Sequence, residues 1–357
     1  MKKKVFFSLT VSILISAGGL YLAFRNVPFK ALLDYFATIN YVWAIPAGLL
    51  VILSFLFRVI RWRIIVSSAH PLSFWSAFHP LMIAFMINAV LPGRVGEIAR
   101  PVILKKKEKI HFSTGLATVA AERVFDISLI IVLFLIVMVS VDIDPNIQIP
   151  FGKYQLNKSL LETITQGMVR IGILMIAAMI FFSFQAIRQR MAALLLKGPE
   201  LFFFASADFK KKITQRLCLP AIRLMENFAS GFKLITSPLQ LTLCIFISVL
   251  IWALAALSYY VFSLGCPGVG LTITEMTAVM IIICIFIALP SVPGYWGLWE
   301  AGGMFAMSLF GSASNEAAGF TLANHALQLF PIIIIGMISA VLTGVNILAT
   351  SYRPAVD

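Results

Sequence analysis

Runs of about twenty apolar residues recur along this chain, the length a helix needs to cross roughly 30 Å of hydrocarbon. They occupy residues 5–24, 42–65, 113–139, 168–187, 239–264 and 322–348. Two more, 74–91 and 272–289, run into proline–glycine pairs. Apolar residues make up 60% of the 357, only 12% are charged, and the mean hydropathy is +0.96. A water-soluble domain of this size needs a more polar surface than that composition leaves. The chain therefore reads as an all-α polytopic membrane protein with about six full spans. Cys218, Cys244, Cys266 and Cys284 have no paired spacing, so neither a disulfide framework nor a zinc site is implied. No metal and no other cofactor is expected.

The net charge of +13 is unevenly distributed. Lys and Arg close to span ends mark the cytoplasmic side. They gather at Lys2, Lys3 and Lys4, at Arg58, Arg61 and Arg63, and at Lys105, Lys106, Lys107 and Lys109. Residues 188–233 add nine Lys/Arg against three Asp/Glu, whereas 142–167 hold two Lys against three acidic residues and belong outside. Both termini then lie in the cytoplasm, and a bacterial inner (cytoplasmic) membrane is the expected location. The Lys-rich start resembles a signal peptide, but no small-x-small site closes the first apolar run, so an uncleaved anchor is expected. A basic face suits anionic lipid head groups. Nucleic acid is not an expected partner, since no basic domain stands apart from the membrane segments.

Run 74–91 creates a topological conflict. It leaves the cytoplasm, meets Pro92, Gly93 and Gly96, and soon reaches the lysines from Lys105 onward. A plain span would strand those lysines on the wrong face. A re-entrant hairpin over 74–104, broken at Pro92-Gly93, resolves this, because proline removes a donor and glycine adds backbone freedom. A second hairpin is expected over 272–311, broken at Pro293, Gly294 and Gly297 and leaving through 298–310. Broken backbone survives at membrane depth only where protein buries it or a cavity borders it. Pro-Gly, a second Gly three residues on and a following glutamate recur at both breaks. That points to an inverted repeat with a midplane site. One integral membrane domain, 1–357, then divides into a first half (1–187), a basic cytoplasmic linker with one or two amphipathic helices (188–235) and a second half (236–357).

Ionisable side chains at membrane depth cost about 2.5–3.5 kcal/mol each by insertion scales and need partners or water. Here they cluster: Arg94, Glu97 and Arg100 at the first break, Glu122, Arg123 and Asp126 in the next span, and Glu300 after the second break. Glu122 and Asp126, four apart, share a helix face. The chemistry suggested is anion recognition. A short helix after Pro92-Gly93 offers free N–H groups, and Arg94 and Arg100 offer guanidinium forks that match phosphate. Tyr295, Trp296 and Trp299 give the second break an aromatic wall. The plainer alternative is that these charges only lock helices together. His325 is a candidate proton relay or a structural hydrogen-bonding group. No Walker A, nucleophile elbow, zinc-protease or dinucleotide motif is present.

The segments Leu91 through Arg100, Glu122-Arg123-Val124-Phe125-Asp126 and Pro290 through Gly297, with Glu300, His325 and Pro331, resemble the lysylphosphatidylglycerol synthase transmembrane (flippase-like) family. The resemblance spans nearly the whole chain. It implies movement of a phospholipid or a polyprenyl-phosphate-linked lipid between leaflets, with membrane lipids as partners. Bifunctional members add a soluble aminoacyl-transferase domain. This sequence stops at Asp357, so a stand-alone transporter rather than an enzyme is expected. A lipid-modifying transferase is a candidate partner, and the oligomeric state, a homodimer included, is open. The alternative readings are an ion-coupled carrier of a small soluble anion and a scaffold for such a transferase.

Overall fold

The computed structural model describes residues 13–345 apart from 15, 22, 26, 92–93, 141–148, 152–153, 157–162, 164–165, 168, 175, 178–180, 182–183, 202–205, 231–236 and 290–291. The helices are α1 (Phe29–Thr38), α2 (Ala44–Ser67), α3 (Phe74–Val90), α4 (Gly96–Glu108) and α5 (Phe112–Ser140). After a short antiparallel ribbon, β1 (Ile149–Phe151) and β2 (Tyr154–Leu156), come α6 (Gln185–Lys197), α7 (Ala207–Ile213) and α8 (Leu219–Ser230). The second half holds α9 (Pro238–Ser263), α10 (Ile273–Phe286), α11 (Leu298–Leu309) and α12 (Ser314–Thr343).

Three described helices are long and apolar enough to cross a membrane: Tyr41–Ser67, Pro238–Ser263 and Ser314–Thr343. With 29 residues α5 has the length, but Glu122, Arg123 and Asp126 interrupt its apolar run. The last helix starts well before the expected 322, because the Glu316 carboxylate accepts from the Ala313 N–H at 3.3 Å and closes its first turn. In the basic stretch α6 stands alone, and α7 runs into α8 without a break through a π-helical stretch, Thr214–Cys218. The expected spans at 5–24 and 168–187 fall partly outside the described residues, as does most of 142–167, and Pro92, Gly93, Pro290 and Ser291 lie outside them.

Both short helical pairs fold back on themselves for local reasons. Helix α3 stops at Leu91, whose backbone is extended, and α4 begins five residues later. Asn88 Oδ1 accepts from the Gly96 N–H at 2.8 Å, pinning the new helix to the old one. A Cβ at position 96 would strike the Ala84 carbonyl, so only glycine permits this approach. Helix α10 opens with a capping box in which Thr272 and Glu275 satisfy each other's free N–H groups. It ends at Ile287, and the chain turns through Gly294 (φ 70°) and Gly297 (φ 88°), left-handed positions that suit glycine.

The helix ends sort onto two faces. On the first, Ser68 after α2 donates to Gln240 at the start of α9 (2.9 Å), and Lys107 at the end of α4 donates to Thr343 O (2.9 Å). Val66, Leu72, Leu104 and Ile110 share one apolar cluster there, so α3 begins and α4 ends on the same side. On the opposite face the Asn40 N–H donates to Gly265 O (2.8 Å) and Tyr35 to Pro267 O (2.9 Å). Glu316 packs on Gly268, and α10 begins and α11 ends on that side.

Packing is matched between halves. Helix α2 lies along α9, while α2–α3, α3–α4, α4–α5, α2–α5, α2–α12 and α3–α12 contacts recur as α9–α10, α10–α11, α11–α12, α9–α12, α9–α5 and α10–α5. Polarity is inside out relative to a soluble protein. Leu239, Phe246 and Val341 stand 80%, 63% and 81% exposed, while Arg61, Glu122, Glu300 and His325 are fully buried. Apolar surface facing outward with charge sealed inside is the arrangement hydrocarbon demands.

Candidate functional site

The first break opens onto an ionic core carried by α2, α4 and α5. Glu122 and Asp126, one turn apart on α5, both face Arg61 of α2, whose Nη2 donates to Glu122 Oε1 at 3.3 Å and to Asp126 Oδ1 at 2.8 Å. Arg61 Nη1 donates to Ser248 on α9 at 2.8 Å. The other Glu122 oxygen accepts from Arg100 of α4, whose guanidinium lies over Trp62 (4.7 Å) and Phe85 (5.5 Å). Asp126 also meets Arg123 at 3.1 Å and Arg58 at 3.7 Å. Arg123 reaches Glu97 at 4.0 Å. Isolated buried charges of this kind would not persist, but paired and hydrogen-bonded ones can.

Arg58 and Arg61 lie elsewhere than charge counting placed them. Along with Arg63 they had the look of a cytoplasmic boundary marker. Arg63 reaches the loop after the helix, donating to Leu72 O (2.9 Å). Arg58 stands roughly 14 Å short of Ser67 and Arg61 roughly 9 Å short, at 1.5 Å per residue, and both turn inward. A signal was available: their i,i+3 spacing puts them on one helical face, to which the i,i+4 pair Glu122 and Asp126 is complementary.

Arg94, half-buried, bridges the two breaks. It adopts φ 53°, uncommon for a residue with a Cβ. Its Nη2 donates to Ile287 O at the end of α10 (2.7 Å), and its guanidinium lies 6.0 Å from the Tyr295 ring centroid. Tyr295 is itself at φ 62°. The hairpin tips thus meet through two residues held in left-handed backbone, which the surrounding packing must over-determine. Gly294 completes the contact, its Cα facing Ala89 O of α3.

The second break seals a different pair. Glu300 and His325 are both fully buried. Glu300 Oε2 accepts from the Gly297 N–H at 2.6 Å, and Oε1 lies 2.6 Å from His325 Nδ1. His325 Nε2 lies 2.8 Å from Gly294 O, which only accepts, so Nε2 carries a hydrogen there. Nδ1 and Oε1 then hold one further hydrogen between them. Trp299 stacks flat on the imidazole (4.4 Å, 3°), and Trp296 closes from another side at 4.5 Å. Sequence reasoning set Glu300 toward a head group; in the fold its two oxygens meet His325 and the Gly297 turn. Replacing His325 with alanine leaves Glu300 Oε1 without its partner, and thermal unfolding in detergent is expected to report a loss of about 1–3 kcal/mol from the orphaned acceptor.

The expected site residues therefore divide. Arg94, Glu97, Arg100, Glu122, Arg123, Asp126 and Tyr295 gather on the first-break side, joined by Arg58 and Arg61. Glu300 and His325, with Trp299 stacked on the imidazole, form a separate buried unit, and the exposed Trp296 packs against its edge. Among the described residues, no group of three or more His, Cys, Asp or Glu side chains is placed to hold a metal ion.

Long apolar helices around an internal ionic core define a multi-pass, membrane-embedded protein. A family model described as the lysylphosphatidylglycerol synthase TM region matches residues 9–336, and the chain belongs to that family. Membership associates it with lipid metabolism or transport at a membrane. No curated protein and no solved structure matches the chain.

Proposed function

We propose that the protein is a flippase-like transporter that passes the head group of an anionic lipid between leaflets while the acyl or prenyl tails stay in the bilayer. The observation that carries this reading is charge imbalance in the ionic core. Four guanidiniums (Arg58, Arg61, Arg100, Arg123) pair with three carboxylates (Glu97, Glu122, Asp126), and a fifth, Arg94, stands at the hairpin tips on the Ile287 carbonyl and the Tyr295 ring. The paired core's formal excess of one positive charge, with Arg94 resting on neutral groups beside it, is expensive in a low-dielectric interior unless an anion completes it. Arg61 and Arg100, sealed against Glu122, hold the core together. Arg58, Arg94 and Arg123 keep partly open sides and contact the phosphate of a phospholipid or a polyprenyl-phosphate-linked lipid. Glu97, Glu122 and Asp126 orient them.

The two folded-back pairs act as re-entrant hairpins of an inverted repeat, one opening to each side of the membrane. The paired helix contacts in the two halves and the sorting of helix ends onto two faces support this. The face bearing Arg63 and the α4 lysines, with α8 packed beside it on α5, is the cytoplasmic one, as an excess of Lys and Arg favours. A bacterial inner membrane, cytoplasmic termini and a transport rather than enzymatic role complete the proposal. In proteoliposomes holding a labelled head-group lipid, the purified protein is expected to exchange label between leaflets faster than empty vesicles do. No exchange with any of several lipid classes would refute the proposal. Uptake of a soluble anion without lipid exchange would point to an ion-coupled carrier instead.

A further inference from the structure

His325 stands between two acceptors. Its Nε2 lies 2.8 Å from Gly294 O in the second break, and its Nδ1 lies 2.6 Å from Glu300 Oε1 on α11. The other Glu300 oxygen is taken by the Gly297 N–H at 2.6 Å. Both side chains are fully buried, and among the described residues His325 is the one ion-pairing partner of Glu300. Trp299 stacks on the imidazole, Tyr259 of α9 stacks on Trp299 at 6.4 Å, and the exposed Trp296 packs on the imidazole edge. The pair thus lies one side chain beneath the surface of the fold. Other helices meet α12 elsewhere: α1 through Tyr35 at Gly319, α2 through Gly48 at Leu327, and α3 through Met82 and Met86 at Gly336. Beyond Gly294 the turn continues into Tyr295, which carries Arg94 on its ring.

Gly294 O only accepts, so Nε2 bears a hydrogen. A second hydrogen lies between Nδ1 and Oε1, as imidazolium with carboxylate or as imidazole with carboxylic acid. Either way the pair holds one proton more than a neutral imidazole beside a carboxylate. Its net charge is then zero, which a sealed interior favours. With that proton gone, one hydrogen is left for two acceptors. On Nε2 it leaves Nδ1 facing the carboxylate; on Nδ1 it leaves Nε2 facing the Gly294 carbonyl. One contact must fail. We propose that Glu300 and His325 form a proton-binding site whose loading holds the second break closed on α12, so that the proton is the coupling ion of transport. Uptake of one proton completes both contacts of the imidazole. Its release to water breaks one of them and frees the turn Pro293–Tyr295, which packs on α3. This rests on the lipid-transport reading and adds its driving force.

The test uses the full chain. In nanodiscs, Ala89→Cys is the reporter, since Ala89 is buried and its carbonyl faces Gly294. Cys218, Cys244, Cys266 and Cys284 are removed, and maleimide labelling is followed from about pH 6 to about pH 9. Glu300→Gln is the comparison. Its amide oxygen accepts from Gly297 and its NH2 donates to Nδ1, so it mimics the loaded pair and cannot release a proton. The thiol's own pH dependence is common to both chains. Labelling with Glu300 present, relative to Glu300→Gln, is expected to rise at least about tenfold over that range. A ratio that stays constant overturns the proton site. Should Glu300→Gln not give a monodisperse protein, the exposed Ser314→Cys supplies the thiol reference and the same rise is expected. In proteoliposomes with labelled phosphatidylglycerol, a gradient of one pH unit is expected to bias the leaflet distribution by up to about tenfold, the limit for one proton per lipid. Glu300→Gln is expected to abolish that bias. Lipid exchange that ignores the gradient overturns the coupling and leaves the transport reading intact. Absence of all lipid exchange sinks the transport reading, while the labelling ratio still decides the proton site.

Discussion

Replacing Glu122 with alanine is expected to cost about 3–5 kcal/mol, the range for removing one member of a buried ion pair. Glu122 is fully buried and holds Arg100 from α4 and Arg61 from α2 at once. Arg61 would retain Asp126 and Ser248. Arg100 would keep only the Trp62 and Phe85 ring faces, with its charge uncompensated. The variant should give a much lower unfolding midpoint in detergent and a poor yield of monodisperse protein. The double variant Arg100→Met with Glu122→Leu should recover much of that loss, because it removes the stranded charge with the carboxylate and fills the space with apolar atoms. If Glu122→Ala unfolds at the wild-type midpoint, the ionic core is not what joins α2, α4 and α5.

Arg94 should behave in the opposite way. It is half-buried, and its own contacts are one carbonyl and one aromatic face. Losing them costs about 1 kcal/mol of stability, the typical net worth of a hydrogen bond. A charge-assisted contact to a substrate phosphate is worth about 1.5–3 kcal/mol, which is roughly a 10- to 150-fold change in rate. Arg94→Ala is therefore expected to fold, insert and lose most leaflet exchange. Arg94→Lys should fall between, since it keeps the charge but not the planar fork. A variant that exchanges lipid at the wild-type rate would remove Arg94 from the transport path. One that fails to fold would assign it to helix locking.

The long helices were legible because hydrocarbon imposes one length and one polarity, and α2, α5 and α9 lie within a few residues of the apolar runs. The start of α12 was not, since Glu316 extends the helix past the apolar boundary by a capping contact that hydropathy does not register. The breaks could be read from Pro-Gly spacing, yet the close approach of Gly96 to Ala84, and the left-handed backbone at Arg94 and Tyr295, depend on packing between segments far apart in sequence. Arg58 and Arg61 were the main loss. Three arginines within six positions look like a boundary cluster, and only the facing carboxylates of α5 reveal that two of them point inward. Glu300 was read by analogy with Glu97, but the Gly297 turn brings His325 within reach, and a buried carboxylate takes the nearest donor.

The claim on which the transport account depends is that the two folded-back pairs open to opposite sides of the membrane. Lys106 at the end of α4 and Ser314 at the start of α12 are both exposed and report on the two openings. Each is replaced by cysteine, singly, in a background in which Cys218, Cys244, Cys266 and Cys284 are removed, and probed with a membrane-impermeant maleimide. The account predicts that Lys106→Cys labels only from the cytoplasmic side and Ser314→Cys only from the outside. Labelling of both from the same side would contradict it, and with it the midplane meeting of Arg94 and Tyr295 as a route for a lipid head group.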